Sequence, residues 1–160
     1  MIGIYDCFGY GKGYNIPFEE RYKLIKNAGF DCVMLWWSDK FGRGTGYQKD
    51  VEYAQNAGFC YDSCHHINYA PNYDLLDKYG NRLFAIHLQD NGGKNNQHQL
   101  PFDGNIDWEM IMEKITFAGY TGATTLEPMN WDYDNLSIRQ FLDLAYQRAK
   151  KVDEMRMKQF

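Results

Sequence analysis

Asn27-Ala28-Gly29-Phe30-Asp31-Cys32-Val33-Met34-Leu35-Trp36-Trp37 reads as the end of a helix, a glycine turn and the start of a buried strand. Glycine takes the left-handed conformation that commonly closes a helix, and the apolar run behind it has the length of a strand. Asn56-Ala57-Gly58-Phe59 repeats the same punctuation 29 residues after Asn27, ahead of Phe59-Cys60-Tyr61-Asp62. Ala118-Gly119-Tyr120 is a third copy, 61 residues after Ala57. A spacing of about 30 residues is the length of one strand-helix unit.

Working outward, Met1 to Phe8 is an extended apolar segment, followed by a loop with Gly9, Gly11 and Gly13. Pro17 opens a helix with Phe18, Tyr22 and Ile25 on one face, and a second helix runs from about Gln48 to Asn56. Tyr79-Gly80 precedes a strand over Leu83 to Gln89, and Trp108, Ile111, Met112, Ile115 and Ala118 mark the next helix. Ala123 to Met129 is a fifth strand, and Ile138, Leu142, Ala145, Ala149 and Val152 line a long final helix. Strands alternating with helices predict a parallel α/β fold. A closed (β/α)8 barrel takes eight units and about 250 residues. This chain of 160 residues has about five. The expectation is a single domain over 1–160 with the α/β architecture of an incomplete TIM-type barrel. It has about five parallel strands with flanking helices and is completed by oligomerisation, because open parallel edges need partners.

Composition narrows the function classes. The chain is 44% hydrophobic and 24% charged, as in ordinary globular proteins, and 17% aromatic. A net charge of -4 and a pI near 5.5 argue against a nucleic-acid partner. No apolar run reaches membrane-spanning length, and the first residues lack a signal-peptide pattern, so a cytoplasmic location is expected. Cys7, Cys32, Cys60 and Cys64 are expected as free thiols. Gly9-Tyr10-Gly11-Lys12-Gly13 lacks the nucleotide-loop patterns and reads as a rim loop.

The polar chemistry falls at strand ends. Asp62 and His65 end the third strand, His87 and Asp90 the fourth, and Glu127 the fifth. Carboxyl ends of parallel strands share one rim, so residues distant in sequence can meet there. In the fourth strand Phe84, Ile86 and Leu88 alternate with Ala85, His87 and Gln89. The bulky set suits packing under helices, and the small and polar set suits a ligand-lined interior. Thr125, Glu127 and Met129 share a face by the same rule. Taken singly, such residues are ordinarily caps or surface groups. As a set, Asp, Glu and neutral His form a mixed oxygen–nitrogen site for a divalent metal: Zn, Mn, Co or Mg. His66 points away from its neighbour His65, and Cys60 and Cys64 lack the second cysteine pair of a zinc knot. Trp36, Trp37, Trp108 and Trp131 read as core or pocket wall.

Five segments carry a family resemblance: Asp62-Ser63-Cys64-His65, Ala85 to Asn91, His98 to Trp108, Gly119-Tyr120-Thr121-Gly122 and Leu126-Glu127. They resemble the C-terminal half of the xylose isomerase-like TIM barrels. That family includes sugar and sugar-phosphate isomerases and epimerases, and the endonuclease IV type of AP endonuclease. Residues 1–58 resemble the family's first two units and 59–160 its C-terminal units, with about three central units absent between Gly58 and Phe59. The resemblance implies metal ligation by Asp62, His87 and Glu127, with Glu127 also moving a proton. It implies substrate or further-metal contact for His65, hence a catalytic pair of Glu127 and His65. It adds His98 as a metal ligand, as in the endonuclease branch. Asn96 stands where that branch has an aspartate, Cys64 where the motif has glycine, and the family's fifth-strand glutamate falls in the absent block. The implied activity is isomerisation or epimerisation of a small sugar or sugar phosphate, metal-dependent and through an enediolate. Two other readings stay open: a non-catalytic, self-associating half barrel, and a phosphodiesterase of the endonuclease kind. The expected partners are the sugar and a second copy of the chain in a dimer.

Overall fold

The computed structural model describes residues 1–5, 16, 18–34, 59–69, 71–94 and 97–157. The Gly9–Gly13 loop, Pro17, Leu35 to Trp37, the Gln48–Asn56 helix and Asn96 lie outside them. The elements in chain order are β1 (Ile2–Tyr5), α1 (Phe18–Ala28), β2 (Cys32–Met34), β3 (Phe59–Asp62), α2 (Ser63–Tyr69), α3 (Leu75–Tyr79), a 3-10 turn (Gly80–Arg82), β4 (Leu83–His87), α4 (Trp108–Phe117), β5 (Thr124–Leu126) and α5 (Ile138–Met157).

Every strand pair is parallel. One sheet has the order β2-β1-β5, and β3 pairs with β4. A bridge between Leu88 and Leu126 joins the two: Leu88 N–H donates to Thr125 O at 2.9 Å and Glu127 N–H to Leu88 O at 3.0 Å. The arc therefore runs β2-β1-β5-β4-β3. This is the neighbour order of a barrel whose last strand closes onto its first. Among the described residues the arc ends at β2 and β3, the two strands between which the sequence places the absent units. The fold is an incomplete TIM-type barrel.

The helices follow from local signals. Asp107 caps α4 by accepting Met110 N–H at 3.0 Å. Trp108, Ile111, Met112 and Ile115 of α4 are buried, a helical stripe. Gly29 (φ 102) and Gly119 (φ 72) close α1 and α4 in the left-handed conformation that the repeat predicted. A side chain at Gly29 would also meet the Tyr146 ring, 3.1 Å from its Cβ position. Phe141, Leu142, Ala145, Ala149 and Val152 of α5 are fully buried, and α5 packs on α1, α4, β1 and β5.

Alternation sorts the strands into two faces. Ile4, Tyr61, Ile86, Leu88 and Leu126 are fully buried in the hydrophobic core. Cys60, Asp62, Ala85, His87 and Thr125 alternate with these residues on the opposite face. Phe84 departs from the expectation: it is 79% exposed, while Ile86 and Leu88 on its face are buried. It sits near the amino end of β4. No helix among the described residues is long and apolar enough to cross a membrane.

The end of the arc opposite the strand carboxyl termini is tied by one buried cation. Arg156 Nη1 donates to Tyr120 O and Gly122 O, both at 3.1 Å, and Nη2 donates to Asp153 Oδ1 at 2.8 Å. Thr124 Oγ1–H donates to the same Asp153 oxygen at 2.6 Å. Arg156→Met removes the guanidinium from two loop carbonyls and a carboxylate. The expected loss is about 3 kcal/mol of unfolding free energy, read by urea denaturation.

Candidate metal centre

Strand register brings the site together. Asp62 and His87 are direct partners in the β3–β4 pair, so their side chains leave the sheet on one face. The Leu88–Leu126 bridge sets Glu127 one step farther along the neighbouring strand. One ligand atom from each of Asp62, His87 and Glu127 lies within 4.8 Å of the others. His87 Nδ1 is 3.0 Å from Glu127 Oε2 and 4.0 Å from Asp62 Oδ2.

Asp62 occupies the strand-to-helix junction. Its Oδ1 accepts His65 N–H at 2.9 Å, capping α2, and His65 Nδ1 lies 2.9 Å from Oδ2. Gln89 Nε2 donates to both oxygens, at 2.9 and 3.1 Å. His65 is thus set against Asp62 by backbone and ring together.

Burial disfavours charge on His87, but hydrogen bonds with Cys60 and Glu127, together with the Glu127 carboxylate charge, outweigh it and push the imidazole up to about 10. Glu127 Oε2 is buried and, among the described residues, has no donor besides the His87 ring facing it at 3.0 Å. A buried anionic oxygen left short of donors is the fit a cation would complete. Asp62, His87 and Glu127 together supply the oxygen–nitrogen donor set of a divalent ion.

His98 lies beside this set and outside it. Its Nδ1 is 3.1 Å from Glu127 O, and a carbonyl only accepts, so Nδ1–H donates and Nε2 keeps its lone pair. Burial holds this imidazole below the ordinary histidine range. Its backbone is left-handed (φ 51), and its carbonyl accepts Met129 N–H at 2.9 Å. Rings continue from it on both sides. His65 and Trp131 each have centroids 5.8 Å from His98, and Tyr69 is 5.7 Å from His65. Trp131 is 48% exposed, so it forms wall and not core. Trp108 is buried. His66 is held elsewhere, between Tyr61 OH at 3.0 Å and Tyr73 O at 2.6 Å. Cys32, Cys60 and Cys64 are free thiols; Cys60 is exposed, while Cys64 is buried and its thiol is pushed up by that burial.

Sequence reasoning grouped Asp90 with the site chemistry, and the structure commits it to the rim loop. Asp90 is fully buried. It accepts Asn91 N–H (2.8 Å), Phe102 N–H (2.9 Å), Ile106 N–H (3.1 Å) and Trp108 Nε1–H (2.7 Å). Gly104 is required there, because a Cβ would lie 2.3 Å from Asp90 Oδ1. An aspartate at a strand end gives no local hint of this, because the donors lie up to 18 residues downstream. Gln89, which grips Asp62, was assigned only to the interior face.

A parallel β/α arc with an Asp-His-Glu set at its carboxyl rim defines the class of protein. The chain belongs to the xylose isomerase-like TIM barrel family, whose family model matches residues 47–144. It is 37% identical over 100 residues to an uncharacterized protein of Sinorhizobium fredii, covering 61% of this chain and 32% of that one. It is 30% identical over 86 residues to an uncharacterized protein of Methanocaldococcus jannaschii, covering 51% and 29%. It is 29% identical over 80 residues to the fructoselysine 3-epimerase of Shigella flexneri, covering 49% and 29%. The matched regions span about a third of the length of these curated relatives. No solved structure gives a significant match.

Three outcomes follow from this geometry. Asp90→Ala leaves four buried donors unsatisfied and is expected to cost about 4 kcal/mol or more, measured by urea denaturation. A cation needs neutral His87, whose folded value near 10 lies above the ordinary 6.5. Affinity for Mn2+ or Zn2+ should therefore rise between pH 6.5 and 9, by up to about tenfold per unit, with proton release measurable by calorimetry in buffers of different ionisation enthalpy. In the ion-free chain the sign reverses. Stability from the His87–Glu127 pair is fully present below about 6.5 and is lost as pH rises through about 10.

Proposed function

We propose that the chain is a sugar or sugar-phosphate isomerase/epimerase-like enzyme that depends on a divalent metal held by Asp62, His87 and Glu127 and works through an enediolate. The convergence of those three side chains carries the reading. The bound ion would supply positive charge to polarise a carbonyl and a neighbouring hydroxyl. Glu127 takes the hydrogen on the carbon beside that carbonyl, the carbonyl oxygen receives the electrons, and Glu127 returns the proton. Returned on the same face to the former carbonyl carbon, while the neighbouring hydroxyl passes its proton to the first oxygen and becomes the new carbonyl, the proton completes an isomerisation. Inversion needs a second group on the opposite face, and Asp62 is occupied as a ligand. His65, 43% exposed and anchored to Asp62, is placed to hydrogen-bond a substrate hydroxyl. His98 orients the Glu127 main chain and closes a ring wall with His65, Trp131 and Tyr69, a surface suited to the C–H face of a sugar.

The acidic composition and Asn96 disfavour the phosphodiesterase reading. The arc's ends at β2 and β3 favour a second reading, a self-associating half barrel without turnover. The two separate in one comparison. Protein incubated with Mn2+ or Co2+ and ketohexoses in D2O should move solvent deuterium onto the carbon beside the carbonyl. Glu127→Gln should lower that exchange by at least about a thousandfold and also reduce bound metal. A dimer on sizing chromatography, with no exchange and equal metal content in both proteins, would establish the half-barrel reading instead.

A further inference from the structure

Gln89 follows β4 and is fully buried, with every polar group except one held in place. Its backbone is clamped by one hydroxyl: Ser63 Oγ–H donates to Gln89 O at 2.7 Å and accepts Gln89 N–H at 2.9 Å. Its side-chain nitrogen donates to Oδ1 and Oδ2 of Asp62 at 2.9 and 3.1 Å. A carboxylate only accepts, so the amide is oriented with nitrogen toward Asp62. Oε1 is then left buried and without a hydrogen bond among the described residues. A glutamine serving the core alone would be expected to satisfy both ends of its amide, since an unmade buried bond costs more than a made one returns. Here the nitrogen end is committed to a candidate ligand, and the oxygen end has no donor among the described residues.

Resting on the metal-dependent reading above, we propose that Gln89 is a positioning residue: its buried amide fixes the orientation of the Asp62 carboxylate for the cation. Asp62 otherwise meets the backbone N–H and ring of His65, with the His87 ring at 4.0 Å. The amide, donating to both oxygens, fixes the plane of the carboxylate. Ser63, at the first position of α2, extends this control into the helix that also carries His65. Two strands and one helix are thereby locked to a single carboxylate orientation.

The test is Co2+ binding by the full chain, followed by calorimetry and by the visible d–d spectrum, which reports ligand geometry and not fold stability. Gln89→Met removes the amide at similar volume. Gln89→Asn keeps an amide too short to reach Asp62. Both should bind Co2+ about 10- to 100-fold more weakly, with altered band positions and native circular dichroism. Wild-type affinity and spectrum in either folded variant overturns the proposal. Failure of both variants to fold overturns it as well, because Gln89 would then be a core residue. Glu127→Gln separates this from the broader reading. If wild type binds no Co2+, or Glu127→Gln binds it as well as wild type, the metal-dependent reading itself falls. If Glu127→Gln loses binding and the Gln89 variants keep it, only the role of Gln89 falls.

Discussion

The register of two strand junctions determines the site. Asp62 faces His87 because β3 and β4 pair in that register, and Glu127 joins them because Leu88 bridges Leu126. A slip of one residue in either pairing would turn one of the three side chains into the apolar layer with Tyr61, Ile86 and Leu126. The register is held by that layer. These residues are fully buried, and a slip would place them on the polar face at a cost of about 1.5–3 kcal/mol for each large side chain. The apolar side of the sheet thus specifies the geometry of the polar side.

Buried charge is used for different purposes at the two ends of the arc. At the amino end of β5, Arg156 ties the loop before the strand to α5. At the carboxyl rim, Asp90 gathers four donors from one long loop and so fixes His98 and the start of α4. Glu127 differs from Asp90 in one respect. Asp90 receives a full set of donors and is saturated, whereas among the described residues Glu127 Oε2 faces the His87 ring and no other donor. A saturated carboxylate is a structural element; an undersatisfied one beside an imidazole retains capacity to bind.

The raised basicity of His87 follows from the same shortage. Without an ion, a proton on His87 is the positive charge available to Glu127, and it holds the two groups 3.0 Å apart. A divalent cation and that proton compete for one role. A metal bound as proposed would therefore be coupled to loss of that proton.

Much of the fold was legible in the chain because helix ends and strands are written locally. The repeated Ala-Gly punctuation, the stripe on α4 and the small residues of α5 needed no tertiary information, and the shortage of units against a full barrel was a matter of counting. Strand-end placement also nominated Asp62, His87 and Glu127, since parallel strands share a rim. The division of labour among polar residues was not legible. Asp90 and Asp62 both follow strands, and only the loop folded over Asp90 gives it four donors. Phe84 shares a strand face with Ile86, but exposure depends on what lies above each residue. Gln89 shows no special pattern in sequence, and its grip on Asp62 exists only once β3 and β4 are paired. Local periodicity determines which way a side chain leaves its element; which partners it meets depends on segments far away in the chain, and that was decided by packing alone.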